Sequence, residues 1–219
     1  MSRLALIHTA PMLEPVFERL LHEAQPGLET VHVIDESLLA DAIAHDGLTD
    51  ANRLAVRDRI RQAAAGADAV LVTCSSIGEA VEAAAAEVDV PVVRVDAAMA
   101  EEAVHAGSRI GVLATLRSTL RPTAALVRRE AAAAGRDVEV VEQLCEGAYA
   151  ALRSGDAARH DELVRAGYEA LRGKVDVVVL AQASMARIID SLGADERHTP
   201  VLASPGSAIR QALASLAET

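Results

Sequence analysis

Aromatic residues are nearly absent from this sequence. Phe17, Tyr149 and Tyr168 are the only ones among 219 residues, and there is no tryptophan. Surfaces on which bases could stack are therefore scarce. A net charge of −11 without any basic cluster repels phosphate, so nucleic acid is excluded as a partner. Cysteine occurs twice, at Cys74 and Cys145. Two cysteines make no disulfide framework, which points to a reducing, cytoplasmic setting. The seven histidines are scattered without C-x-x-C or H-x-x-x-H pairing, so no metal site is expected. No apolar run reaches the length of a membrane span, and residues 1–11 lack the apolar stretch of a signal peptide. What is present is aliphatic: 51% of the chain is hydrophobic, enough for a sizeable core built from Ala, Val, Leu and Ile.

Short β-branched runs alternate with Ala/Leu-rich segments of helical period. Strands are predicted at 4–8, 29–34, 69–72, 91–95, 109–114, 137–141, 175–180 and 200–203. Helices are predicted at 15–23, 50–66, over the Ala/Glu-rich run after Gly78, and at 97–106, 119–135, 146–153 and 157–172, with a further helix after Met185 and a closing one after Ser207. Residues 35–48 read as a loop with a short helix. Strands separated by helices imply parallel sheets with helices on their faces, an α/β class.

The most informative stretch runs Ala69-Val70-Leu71-Val72-Thr73-Cys74-Ser75-Ser76-Ile77-Gly78-Glu79. Its apolar run reads as a strand buried on both faces. Cys74 then sits at a strand's carboxyl end beside a helix N-terminus, the edge where open α/β sheets bind ligands. Free N–H groups there favour an anion and a thiolate, and Ser75 or Ser76 would cap the helix. The plainer alternative is a buried structural thiol.

The two halves look duplicated. Thr9 matches Thr115 at an offset of 106, Cys74 matches Gln182 at 108, and Pro91 matches Pro200 at 109. Two pseudosymmetric lobes follow, residues 1–97 with 199–219 and residues 98–198, each a mostly parallel sheet. Cys74 and Gln182 would then face one cleft.

Three stretches resemble the aspartate/glutamate/hydantoin racemase superfamily over nearly the whole chain: the strand–Cys–polar–polar loop at Cys74, the run Gly111-Val112-Leu113-Ala114-Thr115 with Ser118 and Thr119 behind it, and Leu180-Ala181-Gln182-Ala183-Ser184-Met185. The resemblance implies two lobes with a site between them, no cofactor, a homodimer, and two cysteines that exchange a proton on opposite faces of a substrate α-carbon. Cys74 falls on the first cysteine position. The second falls on Gln182, an amide that cannot exchange a proton near neutral pH.

The roles that follow from the resemblance are these. Cys74 acts as thiolate acid/base on a small acid or amino-acid derivative, its pKa lowered by the following helix. Gln182 donates a hydrogen bond where the family has a thiol. Thr9, Ser75, Ser76, Thr115, Ser118, Thr119, Ala183 and Ser184 line the substrate, holding its carboxylate. His8, Cys145 and Ser184 are candidate replacements for the missing base. Loss of one thiol leaves two alternatives open: a one-thiol lyase or decarboxylase of malonate-type acids, and a non-catalytic carboxylate-binding protein. Each hydroxyl named could instead serve only as a helix cap, and Tyr149 and Tyr168 read as helix-packing residues.

Overall fold

A computed structural model describes residues 2–188 and 199–217. The chain divides into two compact units, Met1–Ala97 with Pro205–Thr219, and Ala98–Ser204.

The first unit begins with β1 (Arg3–His8), a 3-10 turn (Pro11–Leu13), α1 (Glu14–Ala24) and β2 (Glu29–Ile34). It continues with α2 (Glu36–Ala44), α3 (Asp50–Ala64) and β3 (Ala69–Val72). A 3-10 turn (Ser75–Ile77), α4 (Gly78–Ala85) and β4 (Val92–Arg94) complete it. The four strands are parallel in the order β2-β1-β3-β4. The two central strands, β1 and β3, are the buried ones. That is why they read as continuous apolar runs rather than as alternating ones. One sheet face packs Ala5, Ile7, Val70 and Val72 against Leu38, Val56, Ile60 and Val81. Leu4, Leu6, Phe17 and Leu21 are also buried. The segment 35–48 is more helical than expected, because the Asp35 side chain accepts from the Ser37 N–H and caps α2. Thr49 does the same for α3.

The second unit repeats the plan: α5 (Ala97–Ala106), β5 (Arg109–Ala114), α6 (Arg117–Ala133), β6 (Glu139–Leu144), α7 (Ala148–Arg153), α8 (Ala157–Leu171), β7 (Val177–Leu180), a 3-10 turn (Ala183–Ala186) and β8 (Val201–Ala203). Its parallel order is β6-β5-β7-β8, the same permutation as the first sheet. Here α5 and α6 cover one face, with Met99, Val104, Leu126 and Val127 against Val112 and Val179. Helices α7 and α8 cover the other through Ala148, Val164, Tyr168 and Leu171. The Tyr168 hydroxyl donates to the Thr199 carbonyl at 3.1 Å, so the ring packs while its polar tip is satisfied.

Three expectations differ in position: the strand expected at 137–141 runs from Glu139 to Leu144, paired residue for residue with β5. Helix α6 starts at Arg117 rather than 119, because Leu116 stays extended and its carbonyl accepts from the Thr119 and Leu120 N–H groups; Pro122 therefore lies inside the helix. Residues 199–204, expected in the first lobe, belong to the second unit, since Val201, Leu202 and Ala203 pair with Val178, Val179 and Leu180. The offset of 109 between Pro91 and Pro200 already implied this: Pro91 precedes β4 and Pro200 precedes β8, the matching edge strands. The final helix α9 (Ser204–Ala217) returns to the first unit from Pro205 on. The helix expected after Met185 runs into residues 189–198 and there lies outside the described residues.

Candidate active site

In the first unit the informative residues cluster where β1 and β3 end. Cys74 follows β3 with an extended backbone (φ −130°, ψ 112°) and leads into the Ser75–Ile77 turn. Its sulfur receives the Thr9 hydroxyl, the backbone N–H groups of Ser76 and Ile77, and the Ser76 hydroxyl. Those donors favour a thiolate. They are outweighed: Cys74 is only 8% exposed and packs among the apolar side chains of the α2–α4 face, and this burial pushes its thiol above the ordinary value. The expected helix-lowered pKa is therefore corrected. Desolvation is the larger effect, and a 3-10 turn rather than an α-helix follows directly. The expected caps are corrected too. Neither the 3-10 turn nor α4 has a side-chain cap, and Ser75 and Ser76 lie inside the turn, both buried.

His8 ends β1 fully buried, with both ring nitrogens engaged: Nδ1 at 2.9 Å from Thr73 Oγ1 and Nε2 at 2.9 Å from His32 Nδ1. It presents no unbonded nitrogen as a replacement base. Burial, then the neighbouring His32, lowers its pKa to about 4, so it is neutral at physiological pH. Sequence reasoning missed His32, although its place in the alternation of β2 was a signal. It also missed a buried ionic cluster beneath the loop. Arg94 Nε and Nη2 donate to both oxygens of Asp96 at 2.6 and 3.0 Å, and Nη1 donates to Glu82 at 2.8 Å. An arginine inside the apolar run of residues 91–95 was the available sign.

In the second unit the same positions recur. Gln182 follows β7 with an extended backbone (φ −128°, ψ 134°), close to that of Cys74, and leads into the Ala183–Ala186 turn. Its Oε1 accepts from the Thr115 N–H at 2.6 Å and the Thr115 hydroxyl at 2.8 Å. A backbone N–H can only donate, so the carbonyl side of the amide is fixed and the NH2 faces elsewhere. Among the described residues that nitrogen has no partner. Thr9 with Cys74 and Thr115 with Gln182 are thus equivalent pairs, a threonine after the first strand of each sheet bonded to the residue after the third. Ser118 and Thr119 lie in the first turn of α6, both buried, and Ser118 Oγ has no hydrogen-bond partner. Ala183 and Ser184 open the 3-10 turn and are partly exposed. Cys145 also follows a strand at this edge, its N–H donating to the Ala114 carbonyl at 2.8 Å, but its sulfur turns into the face covered by α7 and α8. It packs against Leu113 and Val164, a Cβ at Gly167 would overlap its sulfur, and burial pushes its thiol up to about 12. It is a packing residue.

Among the described residues no helix is long and apolar enough to cross a membrane, and no group of three or more His, Cys, Asp or Glu could hold a metal ion.

Comparison with solved structures identifies the same fold elsewhere. A glutamate racemase of Bacillus anthracis superposes with a TM-score of 0.74 at 14% identity, covering 99% of this chain and 82% of that one. The aspartate racemase of Picrophilus torridus gives 0.75 at 13% identity, covering 99% and 95%. The allantoin racemase of Klebsiella pneumoniae gives 0.69 at 17% identity, covering 100% and 89%. No curated protein matches the chain in sequence. The Asp/Glu/hydantoin racemase family model matches residues 9–212, from the Thr9 that contacts Cys74 through Gln182 and into α9, and the chain belongs to that family.

Proposed function

We propose that this protein is a cofactor-independent enzyme of the racemase/isomerase kind, acting at the carbon α to a carboxylate, with Cys74 as its acid/base. The observation that carries this is the setting of the Cys74 sulfur. Two hydroxyls and two backbone N–H groups converge on one buried atom, a cradle that a merely packed thiol does not need. A proton removed from an α-carbon leaves an enolate whose charge sits on the carboxylate oxygens. Thr115, the unpartnered Ser118 Oγ at the start of α6 and the free NH2 of Gln182 are donors suited to that charge. In this proposal Thr9, Ser75 and Ser76 serve the Cys74 site of the first unit, and Thr119, Ala183 and Ser184 serve the Gln182 site of the second. The protein works as a homodimer in the cytoplasm.

A second reading is favoured by one observation: the partner position is an amide whose carbonyl is tied to Thr115, so proton delivery from that side has no ionisable group. One-sided chemistry, such as decarboxylation of a substituted malonate or α-proton exchange with retention, fits that arrangement.

The test is a panel of small α-substituted carboxylates in deuterated water. Deuterium incorporation with inversion supports racemisation. Incorporation without inversion, or carbon dioxide release, supports the one-thiol reading. If wild type is inert across the panel while still binding its members, the protein is a carboxylate binder instead. Gln182→Cys sharpens the test, since a gain of racemisation would show that only the second arm was missing.

A further inference from the structure

Outside the residues assigned above, the most unusual feature of the first unit is a file of polar side chains crossing the buried face of its sheet. Thr73 Oγ1, His8 Nδ1 and Nε2, His32 Nδ1 and Nε2, and Glu18 Oε2 follow one another at 2.9 Å steps. The file starts at a residue beside Cys74, fully buried at His8, and ends at a Glu18 side chain that is 55% exposed. The two imidazoles lie within 7° of one plane. Their 5.1 Å centroid separation is about the 2.9 Å nitrogen separation plus the two ring radii, so they meet edge to edge, the geometry of a straight N–H···N bond rather than of a stack. Phe17 of α1 closes over His8 at 5.8 Å.

Counting donors leaves one arrangement of the neutral file and, for an added proton, a place on either ring; full burial of His8 favours His32. Glu18 accepts from the Thr30 hydroxyl and from His32, and that hydrogen bond holds its carboxyl below the ordinary range; it is an acceptor, so His32 Nε2 carries a proton. In the first state Thr73 donates to His8 Nδ1, and His8 Nε2–H donates to His32 Nδ1. Both rings are neutral. In the second state the histidine pair holds one more proton. His8 carries its hydrogen on Nδ1 and donates to Thr73, while His32 carries hydrogens on both nitrogens and donates to His8 and to Glu18. Thr73 must then turn its own hydrogen elsewhere, and an acceptor is in place: the Ile7 carbonyl, 3.2 Å from Thr73 Oγ1.

We propose that Glu18, His32, His8 and Thr73 form a positioning relay, in which uptake of one proton by the histidine pair turns the Thr73 hydroxyl from His8 to the Ile7 carbonyl and so alters the reactivity of the adjacent Cys74. The coupling to the sulfur is short. Alternation along the strands puts the relay residues His8 and Thr73 on one face and their neighbours Thr9 and Cys74 on the other, where the Thr9 hydroxyl meets the Cys74 sulfur. The groups acting on the pair are Glu18 of α1 and, through Glu18, His22 of the same helix, with Thr30 from β2 and Thr73 from β3. Asp35 at the end of β2 is engaged instead with Arg59 of α3. The relay rests on the first unit alone and holds whatever the substrate is.

The test uses the full chain and no substrate. Iodoacetamide alkylation of Cys74 is followed by peptide mass spectrometry from pH 5 to 9, and the tautomers of His8 and His32 are read from imidazole nitrogen NMR. In wild type the alkylation profile should show, besides the rise from thiolate formation, a step of about three- to tenfold, the worth of one neutral hydrogen bond, at the pH where the His8 proton changes nitrogen. His32→Gln holds the neutral arrangement, because its carbonyl accepts from His8 and its NH2 donates to Glu18; the step should vanish. Glu18→Gln should move the step to lower pH. Thr73→Val should remove the step while the histidine titration persists, which separates coupling from damage to the fold. The proposal is overturned if the profiles of folded wild type, His32→Gln and Thr73→Val superimpose, or if His8 keeps one tautomer across the range.

Discussion

At the scale of single residues, the site is a contest between solvation and hydrogen bonding. Cys74 is buried enough that its thiol is pushed up, and three neighbouring residues pull it back. Removing one donor should shift that balance measurably. Thr9→Val should slow alkylation of Cys74 at neutral pH by roughly tenfold, the worth of a hydrogen bond to a charged group, with the circular dichroism spectrum unchanged. His8 supplies a stability effect of known direction. Its folded pKa of about 4 lies below the unfolded 6.5, so the unfolded chain binds the extra proton first. The stabilisation is complete above pH 6.5 and drains away as the pH falls toward 4, amounting to about 3 kcal/mol. Urea unfolding at pH 7, 5.5 and 4.5 should show this loss, and His8→Gln should flatten it.

At the scale of elements, the turn bearing Cys74 is held from below by an ion cluster. Arg94 and Asp96 are 3% and 0% exposed, so neither can turn to water if its partner is lost. Arg94→Met should cost about 3 kcal/mol, because it takes the guanidinium away from a fully buried carboxylate, whereas replacing both residues with apolar ones should recover much of the loss. The same cluster explains Gly78. A Cβ there would overlap the Arg94 guanidinium, which is pinned at both ends and cannot swing aside. Gly78→Ala should therefore cost about 2 kcal/mol despite the better helix propensity of alanine. Chemical denaturation of the three variants checks both statements.

For the whole molecule, the chain leaves its first unit at Ala97 and re-enters it at Pro205. Helix α9 brings back Ala208, Ile209, Ala212 and Leu216, all buried. Truncation after Ser204 should expose their apolar surface and lower the stability of the first unit by roughly 5 kcal/mol. Hydrogen exchange should then show protection lost in β1 to β4 and retained in β5 to β8. Loss spread evenly over both sheets would contradict the division into units.

The sequence by itself determined the alternation of strands and helices, the twofold repeat and the positions of Cys74 and Gln182 after matching strands, because these depend on local periodicity and on spacing along the chain. The repeat even located the edge strand at 201–203, which the lobe boundary drawn at 199 misassigned. The tertiary structure decided what periodicity does not encode: which direction the Cys74 thiol shifts, since burial is set by α2 to α4 packing over it; that Ser75 and Ser76 do not cap; and that Thr9 and Thr115 reach their partners. His8, His32 and Glu18 lie in three different elements. Only the parallel pairing of β1 with β2 and the packing of α1 bring their nitrogens and oxygens to hydrogen-bonding distance, because a contact between residues far apart in sequence exists only once the sheet has formed.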